Sequence, residues 1–275
     1  MTTSFRKRIL DTIQVRLFPS PVRVRHAVYS MVYSEDDAVS GPSARLLEVA
    51  AKALMLARDI DLQDVCNRMR GRFPYPDSIV NLWPGEHYRL LAALVQLLRP
   101  RLVIEIGTAE GLSALALLKY LPAGGQVVTF DIVPWRDYPR ICLQESDFSS
   151  GQLCQITDDL GNSQLFDKHR AMLKRADLIF VDAAKDGVLE PKLVAQLGSL
   201  DFETQPLVVF DDIKQWNMLA LWRELKWPKM DLTSLGHWCG TGLCEVDKVS
   251  KSVISSESAT DAVGTKRNTE GRLTR

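Results

Sequence analysis

Two apolar runs in this 275-residue chain end in charged residues that could do chemistry together. The first, DLIFVDAAKD, reads as a buried strand closing on Asp182, with Lys185 three residues on. The second, LVVF, closes on the pair Asp211 and Asp212. Carboxylates gathered at one sheet edge repel one another unless a cation or hydrogen-bond donors sit among them. Oxygen ligands of this kind suit magnesium, calcium or manganese. Further on, glycines flank the segment GHWCGTG, a tight loop that would bring His237 and Trp238 toward a ligand. An imidazole there could act as general base near neutral pH. Each group also has a plainer use. Asp212 could cap the helix after it, Lys185 could pair with Asp182 or Asp186, and His237 could be a hydrogen-bonding loop residue.

A third segment, LVIEIGTAEGLS, supplies a place for a cofactor. Leu102 to Ile106 reads as a strand that breaks into Gly107, and Gly111 precedes a helix-forming stretch from Leu112 to Leu121. A strand, a glycine turn and a helix N-terminus present backbone N–H groups to a ligand. The next strand, Gln126 to Phe130, ends in Asp131, roughly 20 residues beyond the turn, where an acid reaches a ribose hydroxyl pair. Together they imply a pocket for a nucleoside-containing cofactor. The dinucleotide fingerprint needs a middle glycine where this chain has Ala109, and Glu110 inside the turn would repel a pyrophosphate. Glu105 suits a ligand bearing an ammonium group, so S-adenosylmethionine fits better than NAD or ATP. The sequence contains no Gly-x-x-x-x-Gly-Lys-Ser/Thr phosphate loop.

The motif EIGTAEGLS followed by Asp131 resembles the cofactor motifs of class I S-adenosylmethionine-dependent methyltransferases, and Trp83 to Asp131 is similar to their catechol and caffeoyl-CoA O-methyltransferase branch. The resemblance runs from about Trp83 to Val246. It implies cofactor contacts at Glu105, Gly107, Thr108, Ala109, Gly111, Ser113, Asp131 and Asp182, with Asp158 (or Asp159) approaching the adenine amino group. It implies that Asp182 and Asp211 hold a divalent cation such as magnesium. Asp212 stands where the family has Asn and would complete the metal set with added negative charge. Lys185 matches the lysine credited with deprotonating the substrate hydroxyl, so the expected catalytic residues are Lys185, Asp182 and His237. The function implied is methyl transfer to a hydroxyl of a small molecule or sugar, with metal assistance. The rival readings are metal-independent O- or N-methylation with His237 as base, a non-catalytic cofactor-binding protein of the same fold, and a nicotinamide oxidoreductase. His87, before the first strand, is a further candidate to face the cofactor; His26 and His169 carry no context.

The elements that must position these residues alternate regularly. Helical signals cover Glu86–Arg99, Ser163–Arg175, Glu190–Leu200 and Lys214–Lys226, and strand signals cover Gln152–Thr157, Asp177–Val181 and Leu207–Phe210. Asp231–Leu235 and Leu243–Val246 could form a final antiparallel pair, and Ile132–Ser150, punctuated by prolines, reads as a long loop. The fold class expected is α/β, a Rossmann-like doubly wound and mostly parallel sheet with an antiparallel C-terminal strand pair and a helical N-terminal extension. The expected domains are a helical cap over 1–80, a methyltransferase domain over 81–249 and a disordered polar tail over 250–275. Within the cap, Ser43–Arg58 reads as an amphipathic helix with Ser43 as N-cap.

Composition bounds the rest. Hydrophobic content of 46% and charged content of 25% are ordinary for a globular chain, and zero net charge argues against nucleic acid as partner. Five scattered cysteines without a Cys-x-x-Cys pair suit free thiols in a cytoplasmic protein. Neither a signal peptide nor a run of 18 apolar residues is expected. The basic segment Phe5–Phe18 suits packing on its own domain, or on a partner subunit of a homo-oligomer, better than contact with an anionic membrane surface.

Overall fold

The computed structural model describes residues 40–84, 86–237 and 239–247. The basic N-terminal segment, His26, Trp238 and the polar tail lie outside the described residues. The first described helix, α1 (Ala44–Ala57), starts where expected: the Ser43 side chain accepts a hydrogen bond from the Leu46 N–H at 3.0 Å. A short helix α2 (Gln63–Met69) follows, unmarked in the sequence by any long periodic pattern, and then a single wide turn at Asp77–Asn81. Helix α3 (Tyr88–Leu98) leads into the sheet and ends at Arg99, whose left-handed backbone turns the chain at Pro100.

The sheet alternates with helices as read: β1 (Leu102–Ile106), α4 (Leu112–Leu118), β2 (Gln126–Phe130), α5 (Glu145–Phe148), β3 (Leu153–Ile156), α6 (Ser163–Leu173), β4 (Leu178–Val181), α7 (Leu189–Gly198), β5 (Leu207–Asp211), α8 (Met218–Glu224), β6 (Lys229–Asp231) and β7 (Thr241–Glu245). Its order is β3-β2-β1-β4-β5-β7-β6; β7 pairs antiparallel with both β5 and β6, and the other pairings are parallel. The order reverses between β1 and β4, and ligands in such sheets bind outside the strand carboxyl ends at that crevice. All five residues of β1 are buried, because helices cover both faces.

Two expectations need correction. The Ile132–Ser150 segment is not one open loop: it holds a 3-10 turn at Trp135–Asp137 and the α5 turn, which a bidentate Arg68–Asp147 ion pair fastens to α2. Helix α8 begins at Met218 rather than Lys214, because Asp212 and Trp216 adopt positive φ and the intervening residues turn instead. Residues from 44–80 pack against the sheet. Leu46, Ala53, Met69 and Val80 belong to one hydrophobic core with Leu91, Val103 and Phe180. Among the described residues no helix is long and apolar enough to cross a membrane.

Candidate active site

The turn after β1 is held by backbone bonds that leave no room for a side chain at its first residue. Gly107 has φ +105° and donates its N–H to the Phe130 carbonyl at 2.8 Å. A Cβ there would lie 1.8 Å from the carbonyl oxygen of Asp182, so the ends of β1 and β4 meet only because this residue is glycine. Asp131, closing β2, is fixed against the same turn. Its Oδ2 accepts from the N–H groups of Thr108 and Ala109 at 2.9 and 3.1 Å, and its Oδ1 from the Val133 N–H at 3.0 Å. The Tyr138 hydroxyl donates to the same carboxylate. Burial and that carboxylate push the Tyr138 phenol up to about 12, so it stays a donor at neutral pH.

These elements enclose a cavity of about 510 Å³ at the crevice between β1 and β4. Its charged lining is five aspartates (Asp131, Asp158, Asp159, Asp182, Asp186) and one lysine, Lys192; Ile106, Phe130, Ile132, Val133, Leu160, Val188 and Leu189 supply apolar walls. Asp158 is steadied by His169 at 2.6 Å and Lys168 at 2.8 Å, which together hold its carboxyl below the usual range. His169, without context in the sequence, thus has one: it packs edge-on to Phe130 and anchors Asp158.

Beside the cavity lies a second assembly, joined to it through Asp182. Lys185 Nζ sits 2.6 Å from Asp182 Oδ1, 3.3 Å from Asp211 Oδ2 and 2.6 Å from Asp212 Oδ2. Burial alone would lower the ammonium, but Asp182 and Asp211 raise it well above its ordinary value. Burial and Asp211 raise the Asp182 carboxyl, whereas the imidazole of His87 and its other cationic partners hold Asp211 low against the effect of burial. Two histidines reach the far side of Asp211: Nδ1 of His87 and Nδ1 of His237 each lie 3.3 Å from its Oδ1. His237 also contacts Glu86 through Nε2 and lies 3.7 Å from Asp212 through Nδ1. Burial works against its charge, but Asp211 and Glu86 override it and raise the imidazole to about 10. Lys185 and Asp212 both have φ +56° and Ala109 φ +41°, so non-glycine residues in left-handed backbone border the crevice at three places.

Of the residues expected to contact cofactor, Gly107, Ala109, Asp131, Asp158 and Asp182 line the cavity, and Glu105, Thr108, Gly111 and Ser113 do not. Glu105 is fully buried, and burial pushes its carboxyl up to about 7 despite the Ser113 and Thr129 hydroxyls that favour its charge. Thr108 shares a 2.7 Å hydrogen bond with Thr129 and accepts another from Gln155 at 3.0 Å, both inside the fold. Gly111 lies against the Leu143 side chain. The expected metal residues Asp182, Asp211 and Asp212 do converge, with Lys185 at their centre. Lys185 and His237, both expected as bases, are held in their protonated forms by carboxylates. Asp212 does not cap α8; its Oδ1 accepts from the Gln215 side chain at 3.2 Å. His87 faces Asp211 rather than the cavity. Sequence reasoning missed Tyr138 and Glu86. Only the position of Glu86 next to His87 could have pointed to one of them.

Comparison with known proteins bears on the first half of this arrangement. Residues 81–191 match the family model described as O-methyltransferase. Catechol O-methyltransferase of Mus musculus is 31% identical over 111 residues, 39% of this chain and 41% of that protein. The chain thus matches about two fifths of the length of that relative. Among solved structures, the O-methyltransferase TomG from Streptomyces achromogenes is 20% identical, with 82% of this chain and 96% of TomG covered at a TM-score of 0.45. An O-methyltransferase from Bacillus cereus is 18% identical, with 82% and 96% covered at a TM-score of 0.45. The family match bears out the resemblance read from the β1 turn. It spans Gly107, Asp131, Asp158, Asp182 and Lys185, and stops before Asp211, Asp212 and His237.

Proposed function

We propose that this chain transfers a methyl group from S-adenosylmethionine, bound in the crevice cavity, to a hydroxyl oxygen of a small molecule or sugar. The observation that carries the reading is the sign of the cavity: five aspartates against one lysine suit a cationic ligand and oppose a polyphosphate. Its volume of about 510 Å³ lies within the range of small-molecule sites, and its apolar walls suit a purine. Asp131, at the end of β2, is placed for a ribose, and Asp158 for the adenine edge. When bound, S-adenosylmethionine supplies an electrophilic methyl carbon, whose bond to sulfur breaks with its electron pair as the bond to the acceptor oxygen forms.

The residues of the chain then have divided tasks. Asp182 lies on both the cavity and the lysine cluster, and its raised affinity for a proton suits it to take the acceptor's hydroxyl proton. Lys185 keeps its own proton, so it works as a fixed positive charge that orients Asp182 and favours developing negative charge on the acceptor oxygen. Rigid placement of both groups on strand ends serves the in-line alignment that methyl transfer requires. The oxygens of Asp182, Asp211 and Asp212 surround the Lys185 ammonium. A hard divalent cation held by the same three carboxylates would have to displace that ammonium and would then supply the positive charge that polarises an acceptor oxygen. The same reading places the chain in the cytoplasm, where its five unpaired cysteines remain thiols, with neither nucleic acid nor membrane as partner.

Calorimetry with S-adenosylhomocysteine and with NAD tests the cofactor. The first should bind and the second should not. Transfer of labelled methyl to a panel of hydroxyl compounds tests the reaction. A protein indifferent to S-adenosylmethionine and its demethylated product at millimolar concentration would overturn the reading.

A further inference from the structure

The methyl-transfer reading leaves Glu86, His87 and His237 without a task. They come from two places far apart in sequence. Glu86 and His87 stand at the start of α3, and His237 stands in the turn between β6 and β7. That turn is fixed from several sides: Gly240 N–H donates to the His237 carbonyl at 2.9 Å, Lys214 N–H to the Cys239 carbonyl at 3.1 Å, and Ile213 N–H to the Gly240 carbonyl at 3.2 Å. One ligand atom from each of Glu86, His87 and His237 lies within 4.8 Å of the others. The two imidazoles meet edge to face, with ring centroids 5.3 Å apart at 89°, and only 3% of His87 and 7% of His237 is exposed.

His87 adds an independent observation. It is buried, yet its Nε2 has no hydrogen-bond partner, and a polar atom sealed from water without a partner is costly. Two imidazoles and a carboxylate form the donor set that first-row transition metals accept, whereas magnesium and calcium prefer oxygen alone. Adjacent ligands on such an ion lie about 3 Å apart, so side-chain rotation without backbone movement would close the set.

We propose that Glu86, His87 and His237 form a second cation site, selective for a divalent transition metal such as zinc, iron or cobalt. Asp211 links it to the lysine cluster: its Oδ1 faces both imidazoles while its Oδ2 faces Lys185. Metal in this site stands independently of methyl transfer, and its test does not depend on turnover.

Cobalt(II) titration of the purified full chain, followed by visible absorption, tests it. A single equivalent should give the bands of imidazole-ligated cobalt. Those bands should vanish in His87→Gln and in His237→Gln, persist in Asp182→Asn, and resist a large excess of magnesium. Far-ultraviolet circular dichroism of each variant reports whether the fold survives. Should a histidine variant fail to fold, nitrogen hyperfine coupling in the electron paramagnetic resonance of the copper(II)-loaded parent protein decides the matter. Bands that survive both histidine substitutions, displacement of cobalt by magnesium, or the lack of nitrogen coupling would overturn the proposal.

Discussion

Lys185 Nζ lies 2.6 Å from Oδ1 of Asp182, the residue three positions before it, across a turn in which Lys185 itself has φ +56°. That backbone brings the ammonium back over the strand end, where Asp211 and Asp212 also reach it. Removing the charge leaves three buried or half-buried carboxylates facing one another. Loss of one partner from a buried ionic cluster costs about 3–5 kcal/mol. Lys185→Met should therefore lower the urea midpoint sharply at neutral pH and recover part of the loss in acid. Methyl transfer should fall by about 10²–10³. A variant with unchanged turnover would remove Lys185 from the chemistry.

The approach of β1 to β4 gives a steric test. Gly107→Ala would drive a methyl into the Asp182 carbonyl, a backbone atom that cannot rotate away. The cost should be about 3 kcal/mol or more, with loss of S-adenosylhomocysteine binding. Gly124 is the control: it also has positive φ (+80°), but nothing lies within 4 Å of its virtual Cβ. Gly124→Ala should cost only the backbone term, about 1–2 kcal/mol. Equal effects at the two sites would show that close approach at Gly107 is unimportant.

Glu105 makes stability depend on pH. Its folded-state carboxyl is raised to about 7 from an ordinary 4.5, so the folded state holds the proton more tightly than the unfolded state does. Stability must therefore fall as pH rises from about 4.5 to about 7, by on the order of 3 kcal/mol. Glu105→Gln keeps the shape and removes the titration. Denaturant curves of the cofactor-free protein should show the variant gaining on the parent through that window and holding the gain above it. A constant difference from pH 4 to pH 8 would contradict the assignment.

His237 acts in the same sense at higher pH. Its folded-state value is raised to about 10 above an ordinary 6.5, because Asp211 and Glu86 favour the imidazolium. Its contribution is complete below about pH 6.5 and lost as pH climbs through about 10. The stability gap between the parent and His237→Gln should shrink across that interval. Proton NMR of the imidazole in the metal-free protein should find it charged at pH 8; a neutral ring there would return His237 to the role of base.

How much of this was legible in the residues varied with the kind of interaction. Strands β1, β2, β4 and β5 were plain, since each is an apolar run stopped by a glycine or an acid, and the Ser43 cap was plain as a local hydrogen bond. The inward turn of Glu105 was not. A strand covered on both faces gives no polar alternation from which to choose a side. Helix α2 is only seven residues long, too short for a clear period. The late start of α8 depended on left-handed backbone at Asp212 and Trp216, which nothing in those side-chain types announces. Convergence of Asp182, Asp211 and Asp212 followed from strand order. That Lys185 would fill their midst, and that His237 would meet Glu86, required the loops themselves.

One contact joins the two ends of the described fold: Ser43 and Arg45, at the start of α1, bond to Glu245 on β7 at 2.5 and 2.8 Å. A nascent chain leaves the ribosome amino end first, so α1 emerges when its anchor has not yet been made. Until translation reaches Glu245, the helix can lean on α3 but cannot fasten its leading turn. The last described strand acts as a latch on the first described helix, and a ribosome that stalls before it releases a product in which the leading turn of α1 lacks that fastening.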